Sequence, residues 1–175
     1  MDNLARVLRE LSPLAPLKWS PVENLHITSK FIGAWPPERL TELEGALGNV
    51  QFGRGFEIAV ARFGYFPNPH HPRALFAAVQ PVAELAELAG RIEEILEPLG
   101  IEKEERSYSP HVTLARIQRE DVRKLREQIA KMTNFDFGTF QVSEFHLYSS
   151  KTGPGSSIYT PLSTYPLLTS ASIPA

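Results

Sequence analysis

The chain has 175 residues, no cysteine, and 18 basic against 20 acidic side chains, which gives a formal net charge of −2. This length fits one domain that buries roughly two-thirds of its unfolded surface without a disulfide or a metal staple. The absence of cysteine excludes thiolate catalysis and Cys-based zinc sites and suits a reducing compartment, so we expect a cytoplasmic protein. The balanced charge excludes a protein that coats nucleic acid through a global positive field.

The first predicted elements are a helix, a strand and a second helix. In "DNLARVLREL" the apolar residues recur at helical spacing, and Pro13 ends the pattern. "LHITSKFIG" is rich in β-branched and aromatic residues and closes on a glycine, which predicts a strand. "PPERLTELEGAL" begins with prolines and continues with leucines at helical spacing, so we expect a helix there. No apolar run approaches the length that spans a bilayer, and we therefore expect no membrane association.

The middle of the chain predicts two strands and a long helix. "FEIAVARFGYF" alternates apolar and small or polar residues as a half-buried strand does, "NPHHPR" is a turn, and "ALFAAVQ" is a short strand. "PVAELAELAGRIEEILEPLG" is the longest predicted helix, begun by Pro81 and ended by Gly100.

The last part predicts a strand in "YSPHVTLARI", a helix in "REDVRKLREQIAKM", one long strand in "FGTFQVSEFHLYSS", a loop in "KTGPGS" and a final strand in "IYTPLSTYPL". The order of strand, helix, strand, loop and strand that begins at His26 begins again at His111, with Phe56 and Phe140 opening the corresponding strands. We infer an internal duplication in which each half forms a small sheet with helices on one face. The prediction is two lobes within a single domain over residues 1–175.

The tripeptide His-apolar-Thr occurs twice, at equivalent places in the two halves and within a predicted strand each time. One such match is ordinary by chance, and the equivalent placement is what gives the pair its weight. Side chains at i and i+2 of a strand share a face. His26 therefore points with Thr28 and His111 with Thr113, while the residue between each pair points to the core. Two such strands facing each other surround one small cavity.

This set of side chains suits phosphoryl transfer to water with a sugar oxygen as leaving group. One imidazole can be the general base while the other, protonated, is the general acid at the same pH. The threonine hydroxyls can donate hydrogen bonds to non-bridging oxygens, and Arg116 or Lys30 can neutralise an anion.

Other catalytic and cofactor sites lack their motifs. No G-x-S-x-G elbow and no G-x-x-x-x-G-K phosphate loop occur. The two motif histidines have few carboxylates nearby and no zincin spacing, so we expect no metal and no cofactor.

The remaining histidines and the two tryptophans have simpler interpretations. His70 and His71 lie between prolines in a loop and are expected to be exposed, and His146 is expected to be a hydrogen-bonded strand residue. For Trp19 and Trp35, packing is favoured over stacking on a nucleobase.

These segments resemble a known family. "KWSPVENLHITSKFIG", "YSPHVTLAR", "RALFAAV" and the closing "FHLYSSKTGPGSSIYTPLSTYPL" are similar to the RNA 2′,3′-cyclic phosphodiesterase family, also called 2′-5′ RNA ligase, within the two-histidine phosphoesterase superfamily. The resemblance runs from about Trp19 over nearly the whole chain.

The resemblance implies an α+β fold of two lobes, with two antiparallel sheets, helices on their outer faces, pseudo-two-fold symmetry and a cleft between the lobes. It implies metal-free hydrolysis of a ribose 2′,3′-cyclic phosphate to a 2′-phosphate. His26 would then be the acid that protonates O3′ and His111 the base that activates water. Thr28 and Thr113 would hold phosphate oxygens, with Arg116 as the cationic contact.

The role of Arg116 sets a geometric condition, and the sequence departs from the family pattern in two places. Simple alternation puts Arg116 on the opposite strand face from His111, so its role requires a bulge or a strand end. Ser29 occupies a position where the family usually has leucine. Family members also usually begin with an apolar strand of the "RLFVAL" kind, whereas this sequence starts at the following helix, so we expect that strand and its base-contacting aromatic residue to be missing.

Several functions remain compatible with the same site. The substrate can be an RNA end, a nucleotide 2′,3′-cyclic phosphate or an ADP-ribose derivative, and reverse reaction would join RNA through a 2′-5′ linkage as a side activity. An RNA-end-binding module is the non-enzymatic alternative. It would leave at least one of the two motif histidines dispensable, whereas both are present. We expect a monomer.

Overall fold

The computed structural model describes residues 2–80, 82–118, 120–132, 135–153 and 157–167. Within these ranges the chain forms four α-helices and two antiparallel sheets. The α+β class and the pair of antiparallel sheets that the sequence predicts are confirmed.

All four predicted helices form, and short 3-10 turns extend several of them. The helices are α1 (Asp2–Leu11), α2 (Leu40–Gly48), α3 (Val82–Leu96) and α4 (Arg123–Lys131). A 3-10 turn follows α3, and Gly100 ends it with φ +87°, a left-handed conformation that glycine adopts without a steric cost.

Seven strands form the sheets in the described part of the chain. They are β1 (Lys18–Trp19), β2 (Phe56–Phe66), β3 (Ala74–Gln80), β4 (His111–Arg116), β5 (Asp136–Val142), β6 (Glu144–Thr152) and β7 (Ser157–Pro166). The first five make one sheet in the order β1-β4-β3-β2-β5, and β6 pairs with β7 in a hairpin. Of the predicted loop "KTGPGS", Lys151 and Thr152 belong to β6 instead, and residues 154–156 lie outside the described residues.

Two predictions about the second half are wrong. The stretch predicted as one long strand divides at Ser143 into β5, which joins the five-stranded sheet, and β6, which joins the hairpin. The two strands bury different residues: Phe137 of β5 lies in one core and Leu147 of β6 in another. The prediction that each half of the sequence forms its own sheet is also wrong, because β4 and β5 pair with strands of the first half.

The predicted strand "LHITSKFIG" is also wrong, apart from one residue. Ile27 forms an isolated antiparallel bridge with Val112 of β4, and the rest of the segment belongs to no strand. The reason lies in the edge of β4 that this segment faces. Ile27 lies opposite Val112, so the chain after Thr28 runs past His111, where β4 begins, and has no strand to pair with there, while β1 pairs with the last two residues of β4.

Two hydrophobic cores hold the helices against the sheets. Helices α1 and α4 cover the five-stranded sheet, and the buried side chains there include Val7, Leu11, Val60, Leu75 and Leu125. Helices α2 and α3 cover the β6/β7 hairpin, with Leu43, Leu47, Leu88, Leu96 and Leu147 buried. Burial of each such leucine contributes about 1.5–3 kcal/mol before entropy is counted. Both sheets therefore keep one face away from these cores.

Candidate active site

The two motifs meet at the bridge between Ile27 and Val112. Both bridging side chains pack in the first core, so the residues that flank them in the chain project to the opposite, open face. In an antiparallel pair, the residue before one partner lies opposite the residue after the other. The four side chains that this arrangement brings together are those that the sequence predicts: His26, Thr28, His111 and Thr113.

Each motif imidazole is oriented by a backbone carbonyl two residues earlier in the chain. His26 Nδ1 lies 2.7 Å from the carbonyl oxygen of Asn24, and His111 Nδ1 lies 2.7 Å from that of Ser109. Because a carbonyl oxygen only accepts, Nδ1 donates its proton in both cases, and Nε2 is left to exchange a proton. These carbonyls carry no signal in side-chain identity, and the sequence analysis missed them.

Aromatic rings pack against both imidazoles. The ring of Phe66 meets His111 edge-on at 4.8 Å, and that of Phe76 lies 5.4 Å away. Tyr159 meets His26 edge-on at 4.8 Å. The two phenylalanines come from β2 and β3 and the tyrosine from β7, so the strand pairing, rather than sequence proximity, sets these contacts.

Gly64 makes room for the ring of Phe76. The two residues are cross-strand partners, and a Cβ at position 64 would collide with the ring. The glycine thus lets Phe76 lie flat across β2, where it stacks on Phe66 at 4.2 Å and reaches His111.

A bulge in β4 brings Arg116 to the face of the motif. Phe76 pairs with Thr113 and Leu75 with Ala115, so β4 has one extra residue between these pairs. Beyond the bulge Arg116 pairs with Ala74, which shares a face of β3 with Phe76. Arg116 therefore shares a face with Thr113, which meets the geometric condition that the sequence analysis set for it.

Lys18, which the sequence analysis missed, lies opposite Arg116 in the register of β1 and β4. Both side chains are exposed, and neither has an ion-pair partner in the described part of the chain. Like charges directly opposite each other are unfavourable, and an anion bound beside them removes that cost. Only the register reveals this pair, which is why sequence alone did not single out Lys18.

Lys30, the other cation suggested by the sequence, is held elsewhere. Its Nζ lies 2.8 Å from a Glu93 carboxylate oxygen and also donates to the carbonyl of Glu102, and its side chain is 8% exposed. Burial alone would raise the pKa of Glu93, but hydrogen bonds from Lys30 and from the Glu104 N–H hold that pKa below its ordinary value. Lys30 thus anchors the segment after the first motif rather than pointing a free charge at the site.

The loop before each motif donates a hydrogen bond to the other motif. Ser20 Oγ lies 2.8 Å from the carbonyl oxygen of Thr113, and the Tyr108 hydroxyl lies 3.2 Å from that of Thr28. Burial raises the pKa of Tyr108, although a hydrogen bond with Ser29 acts the other way. The Tyr108 hydroxyl therefore keeps its proton and acts as a donor.

The side chains given simpler interpretations are exposed or have hydrogen-bond partners outside the two motifs. His70 and His71 are exposed in the turn between β2 and β3, and His146 on β6 is hydrogen-bonded to Thr164. Trp19 and Trp35 are half-buried against the two cores, with their indole N–H groups donating to backbone carbonyls. These placements agree with the sequence-based interpretations.

The described residues contain no group of three histidine, cysteine or carboxylate side chains that could hold a metal ion. Among the described helices, none is both long and apolar enough to cross a membrane.

The two His-apolar-Thr motifs lie across one antiparallel bridge on a two-sheet α+β scaffold, as the resemblance to a phosphoesterase family leads one to expect. The family model described as LigT-like phosphoesterase matches the chain over residues 1–76 and again over 77–159. The chain belongs to the LigT-like phosphoesterase family, and the sequence-based recognition is confirmed. Two consecutive matches to one model are also what an internal duplication predicts.

Curated relatives carry a consistent name. A protein of Archaeoglobus fulgidus named RNA 2′,3′-cyclic phosphodiesterase is 33% identical, covering 94% of this chain and 92% of the relative. One of Methanocaldococcus jannaschii with the same name is 36% identical over 78% of this chain and 77% of the relative. The prediction that this chain is an enzyme of the phosphodiesterase class is confirmed.

Solved structures share the fold. A protein of Thermus thermophilus is 28% identical and superposes with a TM-score of 0.77, covering 94% of this chain and 89% of the other. Escherichia coli LigT in complex with 3′-AMP is 24% identical with a TM-score of 0.77, covering 96% and 91%. At that identity the second likeness supports the fold alone.

Proposed function

We propose that this enzyme hydrolyses the ribose 2′,3′-cyclic phosphate at an RNA end to a 2′-phosphate, with His26 and His111 as general acid and base. The observation that carries the proposal is the matched orientation of the two imidazoles, each with Nδ1 at 2.7 Å from a carbonyl two residues earlier. The name shared by the curated relatives supports the substrate class.

In the proposed reaction, Nε2 of His111 takes a proton from water as the water oxygen forms a bond to phosphorus. The bond between phosphorus and O3′ breaks, and O3′ takes a proton from Nε2 of His26. The product carries a 2′-phosphate and a free 3′-hydroxyl. His111 leaves the step protonated and His26 neutral, and exchange with solvent restores both.

The surroundings of the two imidazoles support this assignment of roles. His26 is exposed, so water can solvate the positive charge that a general acid carries before the reaction. Phe66 and Phe76 pack against His111 and hold its ring in place on the strand. The resemblance to the family implies the same assignment.

The remaining predicted side chains stabilise the phosphate in this proposal. The hydroxyls of Thr28 and Thr113 donate to non-bridging oxygens, and Arg116 supplies a positive charge on the same face. Lys18, opposite Arg116, adds a second charge at the same strand end. Because Thr113 and Arg116 are fixed in β4 and Lys18 in β1, these three donors need little rearrangement when charge builds up on phosphorus.

The test is an assay on an oligoribonucleotide that ends in a 2′,3′-cyclic phosphate. We expect a 2′-phosphate product, a bell-shaped pH profile and undiminished turnover in excess EDTA. Mainly 3′-phosphate would show that the leaving oxygen and the role of His26 are wrong. Loss of turnover on chelation, restored by a divalent ion, would contradict metal-free catalysis.

The same site can run in reverse and join a cyclic-phosphate end to a 5′-hydroxyl end through a 2′-5′ linkage. Water competes at about 55 M, so ligation is a side activity in this proposal. Adding a 5′-hydroxyl oligonucleotide to the same assay measures it directly.

A further inference from the structure

A row of rings leads away from His26 across the β6/β7 hairpin. The ring of Tyr159 lies 4.8 Å from His26, that of Tyr148 lies 6.3 Å from Tyr159, and that of His146 lies 5.7 Å from Tyr148. We call Tyr159, Tyr148 and His146 the aromatic row. It starts at one of the two proposed catalytic histidines and is continuous with the site.

The aromatic row lies on the face of the hairpin that turns away from the protein core. Tyr148 and His146 are two residues apart on β6 and share a face, and Tyr159 pairs with Ser150 on that same face. The opposite face carries Leu147, which is buried in the second core. Tyr148 is 45% exposed, so a flat ligand can reach its ring.

The chemistry of this face suits nucleobases better than phosphates. Among the described residues of β6 and β7 on this face there is no lysine and no arginine. These described residues carry one carboxylate, that of Glu144, whose Oε1 lies 3.4 Å from Nε2 of His146. Uncharged rings with polar edges stack on bases of any sequence, since every base has a π-face. A ligand that binds through its phosphate groups alone would find no cation here.

We propose that the aromatic row stacks the bases of the RNA strand on the 5′ side of the nucleotide that carries the cyclic phosphate. This inference rests on the proposed function, because it takes the terminal ribose to lie at His26. From there the strand runs over Tyr159 and Tyr148 toward His146. The site then prefers an oligonucleotide to a mononucleotide, and the preference comes from stacking.

The experiment compares kcat/KM for a trinucleotide ending in a 2′,3′-cyclic phosphate with kcat/KM for the mononucleotide 2′,3′-cyclic phosphate. We expect the ratio of trinucleotide to mononucleotide to fall at least about fivefold in Tyr148→Ala, and to be kept in Tyr148→Phe, because the ring does the stacking. Ile158→Ala is the matched control. Ile158 is also apolar and 56% exposed on this hairpin, but it pairs with Lys151 on the other face.

The outcomes separate this inference from the proposed function. An unchanged ratio in Tyr148→Ala, or an equal fall in Ile158→Ala, would overturn the aromatic row as a base-binding surface while leaving the hydrolysis intact. No turnover of either substrate by the unaltered protein would overturn the proposed function instead. Since the face lacks cations, the effect of Tyr148→Ala should persist at high salt, and its loss there would contradict stacking.

Discussion

The two His-apolar-Thr motifs carry the same residues on unequal supports. The second motif is part of β4, which pairs with β3 along one edge and with β1 on the other. The first motif belongs to no strand and touches β4 through one bridge at Ile27. A backbone ladder therefore fixes His111 and Thr113, whereas His26 and Thr28 depend on other contacts.

Individual side chains hold the first motif in place. The Asn24 amide donates to the carbonyl of Ser157 at 3.1 Å, and Tyr108 donates to the carbonyl of Thr28. Lys30 ties the end of the motif to α3 through Glu93. The comparison teaches that equivalent imidazole geometry can rest on a backbone ladder or on a few point contacts, and that the second kind of support is open to single substitutions.

The largest expected effect comes from removing either proposed catalytic histidine, and it should be the same for both motifs despite their different supports. His26→Ala and His111→Ala should each lower kcat by about 10²–10⁴-fold, because each removes one proton-transfer group. The measurement is kcat on the cyclic-phosphate oligonucleotide, with circular dichroism to check the fold. Turnover close to that of the unaltered protein in either variant would remove the two-histidine mechanism. The exposed His70→Ala serves as the matched control and should leave kcat unchanged.

Side-chain identity and spacing make part of this comparison predictable. The histidines and threonines follow from the repeated motif, and β3 has the bounds that its apolar run and flanking arginine and proline indicate. Alternation also shows that the phosphate role of Arg116, which the resemblance implies, requires a bulge or a strand end. These features are local, so a linear sequence contains them.

The unequal supports were not predictable, because they depend on which strands pair. Nothing in "LHITSKFIG" shows that Ile27 lies opposite Val112, next to the residue where β4 begins, so that the rest of the segment runs past the start of that strand. Nothing in the chain around Ser143 shows that β5 and β6 enter different sheets. Lys18 gains its place only from the register with Arg116. Long-range pairing and backbone carbonyls leave no local pattern to find.

The next prediction uses the rigidity of the second motif. Gly64→Ala should push the ring of Phe76 toward His111, because the added Cβ collides with that ring and the strands on both sides resist movement. Overpacking of this kind costs about 1–3 kcal/mol, so we expect a lower melting temperature together with a lower kcat. Gly90→Ala is the control, since its Cβ meets no atom within 4 Å and alanine favours a helix. An unchanged kcat in Gly64→Ala would mean that the ladder does not transmit this strain to His111.

A smaller effect should come from the anchor of the first motif. Glu93→Gln removes the charged partner of Lys30. Because the lost hydrogen bond joins charged groups, we expect the unfolding free energy to fall by about 1–2 kcal/mol at neutral pH. Because the pKa of Glu93 is lowered on folding, the stabilisation is complete above its ordinary value of 4.5 and is lost as the pH falls through the lowered pKa.

Chemical denaturation of Glu93→Gln and the unaltered protein across this pH range measures the difference between them. The gap should be constant above pH 4.5 and should close below it. Glu97→Gln, which breaks the exposed pair with Lys103, is the control and should show little difference at any pH. A gap that stays open in acid would show that Glu93 acts by packing rather than by its charge.

The smallest effect gives the most direct test of the comparison. Tyr108→Phe removes the hydrogen bond to the carbonyl of Thr28, and Ser20→Ala removes the one to the carbonyl of Thr113. Each bond is worth about 0.5–1.5 kcal/mol, yet the outcome for the site should differ. Thr113 is still held by the ladder of β4, while Thr28 loses one of its few attachments. We expect kcat/KM to fall severalfold in Tyr108→Phe and to change less than twofold in Ser20→Ala. Equal losses in the two variants would show that the first motif is as firmly supported as the second, against the contrast drawn from the strand pairing.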